Sequence, residues 1–176
     1  MSYIKNSAGG KILNITQVII NESTSNSTPT KVDWIPTIPN TGTAAQYFGL
    51  TVSPLSANSK ILFTGFVSAS LSVDQGLFMY LLKDGSHITE ANGITTGTSR
   101  ANAHSGIGYV ETQSMASLPI NYLMTPGSTT PFEFHVGLRH RSGSTQTIYI
   151  NETAEQANDG KFNRPVSVFT AMEFLS

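Results

Sequence analysis

The chain has no cysteine. Disulfides, thiolate metal sites and cysteine nucleophiles are therefore excluded. Charge is scarce too: Lys, Arg, Asp and Glu make up 12% of the residues, about half the share of an ordinary soluble domain. Net charge is −1, so no basic excess is present to neutralise a nucleic-acid backbone or to meet an anionic membrane surface. No apolar run approaches the roughly 18 residues that would span a bilayer as a helix. The opening "MSYIKNSAGG" lacks the central apolar stretch of a secretory signal. Helical periodicity is nearly missing. So are the Gly-x-Ser-x-Gly elbow, the Walker loop and the dinucleotide glycine fingerprint. "SGIGYV" has two glycines at the right distance but no third, and reads as the start of a strand.

What remains is a β pattern. A chain of 176 residues with 39% hydrophobic content suits one domain with a sizeable core. Short alternating runs are separated by turn residues, which marks an all-β protein. "KILNITQVII" alternates; "NESTSNSTPT" is polar enough to predict a loop. "KVDWIPTIP" is cut by Pro36 and Pro39, so it fits only an edge strand or an extended connection. In "KILFTGFVSASL", Ile61, Phe63, Val67 and Leu71 share one face. The other face holds Leu62, Thr64, Phe66, Ser68 and Ser70, and is neither plainly wet nor plainly core. In "GLFMYLLKDGSHI", Leu77, Met79 and Leu81 oppose Phe78, Tyr80 and Leu82, and Asp84-Gly85 signals a tight turn. "IGYVETQSMASLPINYLMTP" supplies two strands. "PFEFHVGLRHR" alternates, and "SGST" predicts a hairpin from it to "QTIYIN". "VSVFTAMEFLS" closes the chain, with Val166, Val168 and Met172 against Phe169, Ala171 and Leu175.

Eight to ten such strands, with no repeat and no linker, predict an antiparallel β-sandwich or jelly roll. Residues 1–10 form a polar leader and 11–176 a single domain. The strands at 77–82 and 166–175 are apolar on both sides and require covering twice. Small polar residues beside them permit close approach without burying charge. The sheet is thus written for a partner subunit, and Leu77, Phe78, Met79, Tyr80, Leu81 and Leu82 are the expected interface.

Candidate sites are few. His87 and His104 flank the long segment 89–106, whereas His135 and His140, five apart, fall on opposite faces of a strand. No carboxylate–histidine cluster surrounds them, so no metal and no cofactor is expected. The acidic residues number 11 and are scattered, so the sequence pairs no two of them as a glycosidase would require. Four Asn-x-Ser/Thr triplets, at Asn14, Asn21, Asn26 and Asn151, read as chance in a chain rich in those residues. Trp34 with Tyr47 and Phe48 fits core packing better than a sugar platform. Asn92, Arg100, Asn102 and His104 make segment 89–106 suited to hydrogen bonding, hence the candidate ligand site.

Taken together, "GGKILNITQVI", "LTVSPLSANSKILFTGFVS", "LLKDGSHI" and "SVFTAMEF", in this order, resemble the small β-domains of tailed-bacteriophage virion proteins, of tail-fibre, receptor-binding tip or capsid-associated type. The resemblance covers roughly residues 9 to 175. It implies a jelly roll of tumour-necrosis-factor-like type, a homotrimer, and a place in the virion, as an adhesin or a decoration protein. It carries no catalytic motif. Expected partners are further copies of the chain, other virion proteins docked through Tyr3 and Ile4 of the leader, and a host surface glycan. A small glycan depolymerase and a lectin-like module are the competing readings.

Overall fold

The computed structural model describes residues 11–29, 32–38, 46–93, 103–112, 114–154 and 164–175. Among these there is no helix, and every strand pairing is antiparallel. The larger sheet has six strands. Its order is β1 (Ile12–Ile20), β13 (Ser167–Phe174), β6 (Lys60–Leu71), β12 (Gln146–Ile150) and β2 (Thr24–Thr28). β10 (Ala116–Met124) lies along the other edge of β6. The smaller sheet has five strands: β5 (Gly49–Val52), β11 (Phe132–His140), β7 (Gln75–Lys83) and β8 (Ser86–His87), with β9 (Ser105–Val110) also on β7. β3 (Thr37–Ile38) and β4 (Gln46–Tyr47) form a two-stranded ribbon. From β5 onward the chain changes sheet at most connections, the habit of a double-sheet roll.

The expected alternation builds the core. Ile61, Phe63, Val67, Ala69 and Leu71 of β6 point inward, as do Leu77, Met79 and Leu81 of β7. Phe132, Phe134, Val136 and Leu138 complete that layer from β11. The Phe63 ring stacks on Phe134 with centroids 3.7 Å apart, joining the two sheets. Asp84 and Gly85 both take positive φ (49° and 80°), which is what a two-residue primed hairpin turn requires. Gly65 also has positive φ, at 145°, where β6 is flanked closely by β13; any side chain there would strike the Val168 carbonyl.

Three features differ from the sequence expectation. The polar "TSNST" is strand β2, because an edge strand exposed on both faces at Ser25, Asn26 and Ser27 needs no apolar alternation; Ser27 and Thr147 instead pair hydroxyls at 2.8 Å across to β12. β11 and β12 form no hairpin: the Ser142–Ser144 bend carries the chain from one sheet to the other, and β12 pairs with β6 and β2. Glu173 sits at an inward register position on β13. Its carboxylate accepts hydrogen bonds from the backbone N–H groups of Leu55 and Ser56 and from the Ser59 hydroxyl, clasping the 54–59 loop.

Candidate functional site

The register of the larger sheet decides which side chains share its outer face, because directly paired residues point the same way. Ile19, Val168, Phe66 and Pro119 form one row across β1, β13, β6 and β10. Gln17, Thr170, Thr64 and Asn121 form the next, and Ile15, Met172, Leu62 and Leu123 a third. Two apolar rows therefore flank one uncharged polar row. Within that row the Gln17 amide donates to the Thr170 hydroxyl at 3.0 Å. No residue of the three rows is charged.

This face is open among the described residues. Ile15 is 54% exposed, Ile19 59% and Leu123 52%, and Ile12 beside them is exposed too. Leu62, Phe66, Val168 and Met172 are half-buried. Strand spacing and rise give four strands by about eight residues an extent on the order of 500 Å². The strand at 166–175 thus keeps one apolar side in the core and the other uncovered.

The outer face of the smaller sheet has a different fate. Trp34 exchanges two 2.8 Å backbone hydrogen bonds with Leu138, which lays the 32–38 segment along the edge of β11 opposite β7. Asp33 then binds Arg139 at 2.5 Å and His87 at 3.1 Å. The Arg139 guanidinium lies over the Tyr80 ring, and His87 packs edge-on against it. Tyr47 stacks on His135 with centroids 4.1 Å apart. The expected interface residues accordingly take other places. Leu77, Met79 and Leu81 are core, and Tyr80 and Leu82 are buried within the chain; only Phe78 of the six stays half-buried. The second cover that this strand requires comes from side chains of the same chain, among them Asp33, Tyr47, His87 and Arg139.

The expected ligand residues are likewise relocated. Asn92 is buried and reads backbone, not solvent. Its Oδ1 accepts from the Leu81 N–H at 2.9 Å, and its Nδ2 donates to the Leu81 and Ile88 carbonyls. His104 bonds the Ala91 carbonyl through Nδ1 and accepts from the Asn121 N–H through Nε2. Both of its ring nitrogens are thereby occupied. Arg100, Asn102, Tyr3, Ile4 and the leader lie outside the described residues. Phe48 is core, edge-on to Phe169, and Trp34 packs on the same core, so they make no platform with Tyr47. Asn151 is buried, with its amide donating to the Ile20 and Glu22 carbonyls, which leaves no room for a glycan there. No cluster of three metal-ligating side chains occurs among the described residues.

Burial lowers the affinity of His135 for a proton below the ordinary histidine range. Its Nε2 accepts from the Gly85 N–H at 2.9 Å, which holds the ring neutral. Burial also pushes the Tyr80 phenol upward. Asp33 and Glu173 are the structurally decisive acids that sequence reasoning passed over. Glu173 had a signal: a charge at an inward position of an alternating strand. Asp33 had none, since its partners come from β8 and β11.

No family model matches the chain, and no curated protein matches it. Among solved structures it is similar to a chain of infectious bursal disease virus, Gx strain, with a TM-score of 0.43 and 12% identity, over 99% of this chain and 47% of that one. A chain of the Gt strain gives a TM-score of 0.35 and 16% identity, over 100% and 43%. This chain spans less than half the length of either. The class that the strand pairing itself defines is an all-β antiparallel sandwich.

Proposed function

We propose that the chain is a non-enzymatic structural protein of a bacteriophage particle, assembling with copies of itself into a homotrimer through the outer face of the larger sheet. One observation carries this reading: three uncharged rows spanning four strands, open among the described residues of a chain that covers its other sheet. A face without charge meets its own copy without like-charge repulsion and without a desolvation penalty for ions. Its extent supplies more than half of the roughly 800 Å² per partner of a standard interface. The phage assignment follows from the order of the four quoted sequence stretches. Attachment through the leader, and a role as fibre tip or decoration, belong to the same proposal.

Light scattering on the purified protein tests assembly. A trimer is expected at micromolar concentration, and a folded, stable monomer would overturn it. Detection of the chain in purified virions tests the particle assignment. Release of reducing ends from host polysaccharide would replace the structural reading with the depolymerase one.

A further inference from the structure

A cleft of about 730 Å³ opens where the β7–β8 turn meets the end of β10. Lys83, Ser86, His87, Thr89 and Glu90 line one wall and Tyr122 the other. The size suits a small-molecule site. The walls are built rigidly. Asn92 devotes its amide to Leu81 and Ile88, and the Ala91 and Asn92 N–H groups bond the Ile88 carbonyl, so the turn bearing Thr89 and Glu90 is fixed from behind. His104 then ties that turn to β10, from the Ala91 carbonyl on one side to the Asn121 N–H on the other. The two walls are held at a set distance by residues that do not line the cleft.

Four of the groups facing the cleft are unspent, whereas His87 is held by Asp33 and the Asp84 carboxylate accepts from the Glu133 N–H. Ser86, Thr89, Glu90 and Tyr122 have no side-chain hydrogen-bond partner among the described residues. Burial, and then the Glu90 carboxylate, keep the Tyr122 phenol neutral as a donor and acceptor. Hydroxyls, the unengaged Glu90 carboxylate and the Tyr122 ring match a polyhydroxyl ligand with an apolar sugar face. Lys83 stands against Asp84 and Glu90, so negative charge is in excess and an anionic ligand is disfavoured. A peptide adding to the sheet would find only two residues on β8, and on β10 the Asn121 N–H is already taken by His104.

We infer that this cleft binds a neutral saccharide, with Glu90 and Tyr122 contacting its hydroxyls and Asn92 and His104 as positioning residues. The inference stands apart from the assembly reading, since no residue of the cleft except Leu123 belongs to the three rows. The test is a ¹H–¹⁵N NMR titration of the full chain with methyl glycosides of glucose, galactose and N-acetylglucosamine, and with sialic acid as the anionic probe. At least one neutral glycoside at millimolar concentration is expected to shift the Thr89, Glu90 and Tyr122 amides. Glu90→Gln, at an exposed position, should weaken that binding about tenfold, the loss of one charge-assisted hydrogen bond, and Tyr122→Phe should weaken it less. His104→Ala should weaken it while increasing hydrogen exchange of the Asn92 and Asn121 amides. Absence of shifts with every neutral glycoside, binding of sialic acid alone, or unchanged affinity in Glu90→Gln would overturn the inference. Repeating the titration on a monomeric Ile15→Lys/Met172→Lys variant separates it from assembly.

Discussion

The two sheets of this sandwich carry similar outer faces in sequence and opposite ones in space. β7 and β13 are each apolar on both sides. Over β7 the chain lays its own side chains, with Trp34 anchoring the 32–38 segment at the edge of β11 and Asp33 reaching between Arg139 and His87. Over β13 and β6 nothing among the described residues is laid, and Ile15 and Ile19 stand more than half exposed. The difference teaches that a two-faced apolar strand reports a requirement for cover, not its source. Where the cover is internal, it is fastened by charge. Where the face is open, charge is missing from it.

The comparison breaks most sharply at two phenylalanines three residues apart on β6. Phe63 is fully buried between the sheets, whereas Phe66 lies on the open face. Phe63→Ala should cost about 3–5 kcal/mol in denaturant unfolding, and Phe66→Ala well under half of that in a monomer. Equal losses would mean that the open face is already covered. Next in size is Ile15→Lys with Met172→Lys, paired neighbours in one of the two apolar rows. A charge buried at an interface without a partner costs about 3 kcal/mol or more, so the assembly should weaken at least a hundredfold. Sedimentation velocity should then find a folded monomer, and an unchanged sedimentation coefficient would remove this face from the interface.

Asp33→Asn tests the fastening on the opposite side. It removes the charged partner of Arg139 and should cost about 1–2 kcal/mol. Faster hydrogen exchange at the Leu138 amide, which pairs with Trp34, would localise the effect to the internal cover. The smallest expected effect is a pH dependence at His135, under Tyr47. Its folded pKa is lowered, so the unfolded chain takes up a proton first as pH falls through about 6.5. This contribution to stability is complete above that pH and is lost progressively as pH falls toward the lower, folded value. His135→Gln, which keeps an acceptor near Gly85, should flatten the fall in thermal midpoint between about pH 7 and about pH 5. An identical slope in the variant would assign the acid sensitivity elsewhere.

Much of this architecture was legible in local pattern. The inward sets of β6, β7 and β11 follow from alternation, and the Asp84-Gly85 turn from the need for two positive φ angles. Segment 89–106 was legible as special but not in its division of labour. Asn92 and His104, both polar and both placed in a polar stretch, read as ligand contacts. Their actual roles depend on Leu81, Ala91 and Asn121, whose nearness no local pattern encodes. Glu90 and Tyr122 are 32 positions apart in the chain, so their shared cleft was invisible until β10 was placed beside the turn.

The sequence by itself determined an all-β chain, the parity of its strands and the scarcity of charge at their surfaces. These are short-range properties, set by side-chain alternation with a period of two and by turn stereochemistry. Only the tertiary structure decided which apolar face is covered from within and which stays open among the described residues. That choice turns on long-range pairings such as Trp34 with Leu138, and on Asp33 meeting Arg139 across 106 positions. Alternation fixes that a side chain points away from the core; what it then meets is fixed by where the rest of the chain lies.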